Sequence, residues 1–459
     1  MRLVLNKRTK GKCLILITQK TRNYLKYSAI VFTVFLIVGL YPGMGGEGAQ
    51  RDISTIQNKL GITSFIVILI YGSMPDFLLG YLFWVSLLQL IFYIVGVYFI
   101  LEGLNKLRSK IFLIFLSIIA FCFLLQVVRD ATAFSFYVLA TGLIVKSRNY
   151  TDSRKIIYPT ISICLILFGS LFKPIVAPIA AFYYFMLSER ASSFWRSKIS
   201  RLLISIFLAL CPYFIDKALM SNFEIKNVHA EQPLFLYEIS KMYCWGHDPK
   251  MVVSAKEIIR PFIPIDSNHE ALCASLEPMG WDDLHRSLPE VSKSPVLIYP
   301  GAPSEIASTL VSKWAKLILN NPFEWLQLKV IDAAQVSVMA NSLYLDSIIE
   351  TPNQNPLLGI GDKAIKLIYA PMKVLDRFRV FSIGFAFLLG LMALFINGRK
   401  TVLDKGLDNI ILKFLAINLV NFLFYTILFI SNPGRYILPG VLLSYIYVII
   451  AYDEKSKNF

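Results

Sequence analysis

Long apolar runs constrain this chain more than any other feature. A helix needs about 20 mostly apolar residues to cross a bilayer. Ten stretches qualify: 24–42, 77–101, 111–128, 131–146, 156–172, 174–188, 202–216, 380–397, 409–431 and 436–452. A further run, 61–72 (GITSFIVILIYG), is too short to span easily and reads as a re-entrant or interfacial piece leading into the second span. The chain is 56% hydrophobic and 17% charged, against roughly 25% charged in a soluble domain. That balance excludes a soluble enzyme, a disordered tail and a disulfide-rich secreted domain.

Charge then sets the orientation. Residues 1–26 hold eight basic side chains and no acid, which predicts a cytoplasmic N-terminus. With ten spans, the cytoplasmic segments are 1–26, 102–110, 146–155, 189–201, 398–413 and 453–459, so the C-terminus is cytoplasmic too. These segments carry 25 of the 46 basic residues but only seven of the 30 acidic ones. The net charge of +16 is therefore a sidedness signal and calls for no nucleic acid. The N-terminal region combines a long basic arm with an apolar run of full span length and no small-x-small site at the usual distance. It reads as an uncleaved signal-anchor.

The expected fold is an all-α polytopic membrane protein of about ten transmembrane helices, with one large outside segment between spans seven and eight. Its parts are an N-terminal membrane module (1–215), an outside segment (216–379) and a C-terminal membrane module (380–459). The outside segment has ordinary globular composition. Residues 233–243 and 304–319 read as amphipathic helices, the second with Ser304 as N-cap and Asn320–Pro322 as its stop. Residues 323–345 carry Glu324, Lys329 and Asp332 within an apolar pattern and are expected to lie along the interface. Residues 350–362 are loop, and 363–378 form a basic amphipathic helix returning to the bilayer. Cys122, Cys164 and Cys211 fall inside spans and Cys13 in the basic arm. Cys244 and Cys273 alone lie in the outside segment, which makes them a disulfide candidate.

Charged residues interrupt the apolar pattern most tellingly at the outside turns, because ionisable groups next to apolar spans are costly and often mark function. The first such turn holds Glu47, Arg51 and Asp52. The others hold Arg129–Asp130, Lys173–Pro174 and the run Asn432-Pro433-Gly434-Arg435-Tyr436. All must sit at the outer rim of one helix bundle, where two or three carboxylates and three or four cations can face one cavity. A carboxylate can act as general base on a hydroxyl. Arg and Lys can hold a phosphate leaving group and neutralise its charge. Together they suit transfer of a sugar from a lipid-linked phosphate to an alcohol. Short wet turns also carry charge for no functional reason.

The layout resembles the GT-C class of polytopic glycosyltransferases, the bacterial kind that uses lipid-phosphate sugars. The similar features are Tyr41-Pro42-Gly43 closing the first span, followed by an acid and a Gln in the first outside loop. Arg129–Asp130 opens a later span. Asn321-Pro322 precedes an aromatic amphipathic helix, and Arg435-Tyr436 with Pro439 stands in the last outside turn. The resemblance implies an enzyme of the bacterial inner membrane. It would move a sugar from a polyprenyl-phosphate donor to a cell-envelope glycan such as O-antigen or lipopolysaccharide. Its partners would be that donor, a glycan or lipid acceptor and membrane lipids. It implies catalytic roles for Glu47 or Asp52 as base, with Asp130 positioning the acceptor or pairing with Arg129. Substrate-binding roles fall to Arg51, Arg129, Lys173, Arg435 and Tyr436. Glu47 has the expected offset from the Tyr-Pro-Gly; Asp52 has the usual residue type; the choice stays open. The only cofactor left open is a divalent cation.

Two rival readings share the apolar layout. A repeat-unit polymerase would work at the same face, though that class shows two substantial outside loops. A transporter would show internal repeats and broken midplane helices. His229, His247, His269 and His285 are too scattered for a zinc site, and Asp282–Asp283 reads as a solvated loop. No P-loop, dinucleotide fingerprint or nucleophile elbow occurs.

Overall fold

The computed structural model describes residues 81–124, 129–188, 197–222, 232–261, 270, 272–273, 304–338, 374, 378–397, 405–428 and 433–455. The described residues are overwhelmingly helical and contain no strand. In chain order they form α1 (Tyr81–Gly103), α2 (Leu107–Leu124), α3 (Arg129–Ser147), α4 (Arg154–Phe172), α5 (Ala177–Leu187) and α6 (Lys198–Asn222). Then come α7 (Gln232–Trp245), α8 (Pro249–Ile259), α9 (Ser304–Asn320), α10 (Pro322–Val338), α11 (Ile383–Asn397), α12 (Lys405–Leu428) and α13 (Pro433–Lys455). The first expected span, 24–42, the run 61–72, the loop 350–362 and nearly all of 363–378 lie outside the described residues.

The described residues form an all-helical assembly rich in apolar helices, the character of a membrane protein. Among the described residues, three helices are long and apolar enough to cross a bilayer by length and composition: Arg154–Phe172, Lys198–Asn222 and Ile410–Ile427. Shorter apolar helices are Leu88–Gly103, Pro174–Leu187, Ile383–Phe395 and Ile437–Asp453. Large apolar side chains stand exposed along several helices, among them Phe112 and Phe115 of α2, Leu203 and Phe207 of α6 and Phe395 of α11. Such surfaces belong against lipid tails, not water.

The hub is α3. Every residue from Asp130 to Val145 is buried, so the helix is enclosed on all sides. Its composition explains this. Alanine, glycine, serine and threonine let backbones approach closely and let hydroxyls bond across or along helices. Thr141 Oγ1 donates to the Tyr137 carbonyl at 2.8 Å, and Ser162 of α4 donates to the Ala140 carbonyl at 2.9 Å. Gly169 of α4 leaves so little room that a Cβ there would meet Phe136 Cβ at 2.8 Å.

Helix breaks follow local chemistry. Lys173 precedes Pro174, which disfavours helical backbone at residue 173. Lys173 takes φ −146°, ψ 82°, and α4 ends there before a single 3₁₀ turn, Pro174–Val176, leads into α5. Arg379 adopts φ 55° in the turn before α11. Ser382 then caps that helix, its Oγ accepting the Phe385 N–H at 3.1 Å.

Contacts between helix ends sort the bundle into two rims. At one rim Lys146 meets Glu102 at 3.3 Å, and Arg148 donates to the Leu187 carbonyl at 3.2 Å. Arg201 donates to the Phe185 carbonyl at 3.2 Å. There too Asp453 of α13 accepts the N–H groups of Asn105 and Lys106 at 2.8 and 2.7 Å. The opposite rim holds the ends of α2 and α4 and the start of α3. There the Gln89 side chain donates to the Leu124 carbonyl at 3.2 Å and accepts from Thr132.

Helices α7, α8 and α9 have a second apolar core, built from Leu236, Tyr237, Ile239, Met251, Leu310 and Leu317. Asp248 caps α8 by accepting the Lys250 N–H at 3.0 Å, with Pro249 at the first helical position. Cys244 and Cys273 are joined in a disulfide, Cα–Cα 5.5 Å. Through α10 these helices pack against α11 and α12.

Candidate functional site

The sequence singles out two neighbours at the second rim, and the structure brings them together. Asp130 lies in the first turn of α3 and Lys173 immediately follows the last turn of α4. The helices are antiparallel neighbours of nearly equal length, so these two ends meet. Lys173 Nζ stands 3.8 Å from Asp130 Oδ1. Each charge also suits its own helix end: an acid at an N-terminus, a cation at a C-terminus. Asp130 is 2% exposed, so the carboxylate is removed from bulk water and faces the Lys173 ammonium there. Arg129, half-buried, occupies the first position of α3 beside them.

An aromatic floor lies under this pair. Phe136 packs against Phe92, Phe168 and Phe172 at ring-centroid distances of 4.7, 5.2 and 5.7 Å. The next residue of α3, Tyr137, shares a hydrogen bond of 3.0 Å with Ser170 of α4. Phe172, the residue before Lys173, ties these rings to the charged end of α4. The geometry can hold a cation at a fixed point on an apolar base, the property needed to receive an anion at the rim of a membrane bundle.

The other expected site residues are not all placed. Glu47, Arg51 and Asp52 lie outside the described residues. Arg435 and Tyr436 fall in the first turn of α13, and their side chains lie outside the described residues. Of the histidines, His247 is described; its backbone N–H donates to Glu324 at 3.1 Å. Among the described residues no group of three or more His, Cys, Asp or Glu side chains could hold a metal ion.

A second cluster of charge escaped the sequence reading as a unit. Between α7 and α10, Lys329 bonds Glu238 at 2.7 Å and Asp332 at 3.3 Å, and Lys241 pairs with Asp332. Trp325 Nε1 donates to Glu238 at 3.1 Å. All four charged side chains are nearly inaccessible. Glu238 with Lys329 and Lys241 with Asp332 both pair at a separation of 91 residues, so α7 and α10 run in the same direction here. Burial holds the Lys241 ammonium below its usual lysine range, although Asp332 and Glu238 pull it back. The sequence signal is a matched pair of one-turn spacings, Glu238-x-x-Lys241 and Lys329-x-x-Asp332. Being sealed and neutral, the cluster is a structural clasp and not a binding site.

No protein family, curated protein or solved structure is matched by this chain.

Proposed function

We propose that the protein is a membrane glycosyltransferase of the bacterial inner membrane. It takes a sugar from a polyprenyl-phosphate donor and passes it to a cell-envelope glycan, such as O-antigen or lipopolysaccharide, at the outer face. In this reading the apolar helices and the run 24–42 make up ten spans with both termini in the cytoplasm. The observation that carries the reading is the Asp130–Lys173 pair, with Arg129 beside it, at a single rim over an aromatic floor. The resemblance in layout to GT-C enzymes points the same way.

The chemistry is a single displacement with inversion at the sugar carbon. Glu47 or Asp52 removes the proton from the acceptor hydroxyl. The acceptor oxygen bonds to the anomeric carbon as the bond from that carbon to the phosphate oxygen breaks. The electron pair leaves with the polyprenyl phosphate, whose growing charge falls on Lys173, Arg129 and Arg435. In this reading Arg51 and Tyr436 are the further substrate-binding residues. Asp130, buried and paired with Lys173, acts by holding that cation in place; it is a positioning residue, and the base is left to the first loop.

The test is a deletion strain complemented with wild-type or variant protein, with its envelope glycans analysed by gel ladder and mass spectrometry. Loss of one sugar, restored by wild type and not by Lys173→Ala at equal protein level, is expected. Collapse of a polysaccharide ladder to one repeat unit would reassign the protein to repeat-unit polymerisation, and unchanged glycans would remove the enzymatic reading.

A further inference from the structure

Helix α10 is inside out for a helix in water. Its outward stripe is Pro322, Phe323, Leu326, Gln327, Val330, Ile331 and Ala334, spaced at the three- and four-residue intervals of one helical face. Phe323 is 80% exposed and Val330 63%. That stripe contains no charged residue. All three charges of α10 turn elsewhere: Lys329 and Asp332 into the buried clasp, and Glu324 to the His247 N–H. A water-facing helix does the reverse, exposing charge and burying Phe, Leu and Val.

We propose that α10, with the corner joining it to α9, is sunk into the outer leaflet of the membrane, its apolar stripe against lipid acyl chains. Three observations commit the surface to lipid. First, α10 packs on α11 and α12, and Gly384 at the start of α11 is so close to it that a Cβ there would stand 2.5 Å from the Ser337 carbonyl oxygen. The stripe therefore adjoins helices that themselves expose Leu388, Leu391, Leu419 and Leu423. Second, the residues flanking the corner include Leu319, 79% exposed, as well as Phe323, an apolar pair unfavourable in water. Third, exposed Lys313 and Lys316 lie within two turns of that corner on α9, where their ammonium groups can reach headgroup phosphates. The clasp then has a reason. Ionisable groups at this depth are tolerated when they are paired internally, and two acids with two bases leave no net charge. The inference goes beyond the transfer reaction and stands or falls independently of it.

The test places a nitroxide label at Phe323→Cys, Leu326→Cys and Val330→Cys, one at a time. The background is a full-length chain in which Cys13, Cys122, Cys164 and Cys211 are serine and the Cys244–Cys273 bridge is kept. After reconstitution in phosphatidylglycerol–phosphatidylethanolamine vesicles, molecular oxygen should relax these labels several-fold more than the polar nickel complex NiEDDA does. A label at exposed Ser254 on α8 should show the opposite preference. Preference for NiEDDA at all three stripe positions would overturn the proposal by placing α10 in water. Low access to both reagents would overturn it by showing a protein, such as a second copy, covering the stripe. A membrane-soluble aryl diazirine on the unmodified protein gives an independent reading: the tryptic peptide Leu317–Lys329 should carry label, and its absence would overturn the proposal equally.

Discussion

Gly142 of α3 and Gly96 of α1 stand back to back, so close that a Cβ on Gly142 would lie 2.5 Å from the Gly96 carbonyl oxygen. Added atoms meet backbone there, which cannot swing aside. Gly142→Leu should destabilise the bundle by on the order of 3 kcal/mol, read as a lower melting temperature of the detergent-purified protein. Gly103→Ala meets chiefly the Val145 side chain, which can rotate, and should be markedly milder. Equal effects would show that the two helices are not in contact at Gly142.

Lys329 bonds both Glu238 and Asp332 in a site closed to water. Lys329→Met leaves buried carboxylates without that compensation and should cost roughly 3–5 kcal/mol. Adding Glu238→Leu to that variant should recover part of the loss, because the remaining Lys241–Asp332 pair is balanced. A melting temperature that falls further in the double variant would refute the clasp.

Asp453 ties the end of α13 to the start of α2. Burial works to raise its pKa, but the N–H groups of Asn105 and Lys106, with the Asn105 and Ser109 side chains, outweigh burial and hold the carboxyl below the usual range. A depressed folded pKa means stabilisation that is complete above the unfolded value, about 3.9. It is lost as pH falls through the folded value. Asp453→Asn should lower stability by roughly 1.5–3 kcal/mol at neutral pH. Measured between pH 5 and 3, the variant should also lose less stability than wild type.

The disulfide Cys244–Cys273 closes a loop with a sequence separation of 29. Reduction, or Cys273→Ser, should cost about 3.6 kcal/mol by the chain-entropy account. Alkylation of free thiols before reduction should leave two cysteines that become reactive only afterwards, seen as a mobility shift.

If Lys173 receives a lipid phosphate, Lys173→Arg should keep part of the activity and Lys173→Ala very little. Asp130→Asn should weaken donor use while protein level holds, because the lysine loses its anchor. Glu47→Gln and Asp52→Asn separate the two candidate bases: the true base gives a loss of about 100-fold or more, and full activity in both variants would discard the first loop as the site of proton transfer.

Much of this was legible beforehand. The spacing of Asp130 and Lys173, each about one helix length from the turn at 148–153, places them at the same end of an antiparallel pair. The helices expected at 233–243 and 304–319 correspond to α7 and α9, and Pro174 marks the break after Lys173. The centrality of α3 was harder to see. Its run at 131–146 looks like a weak span because a helix surrounded by protein can replace large apolar side chains with Ala, Ser, Thr and Gly. The clasp was equally hidden: Lys329 and Asp332 read as interfacial polarity until their partners on α7, a constant 91 residues away, came into view.

Sequence alone determined what each stretch prefers as solvent. Apolar content acts locally, residue by residue, and it points to an α-helical chain suited to a membrane, while the basic bias sets an expectation of sidedness. Tertiary structure decided which faces meet. Whether a charge is paired or merely wet, and whether an apolar stripe is core or lipid surface, depends on neighbours remote in the chain. Those neighbours are set by close packing and electrostatics among many helices at once.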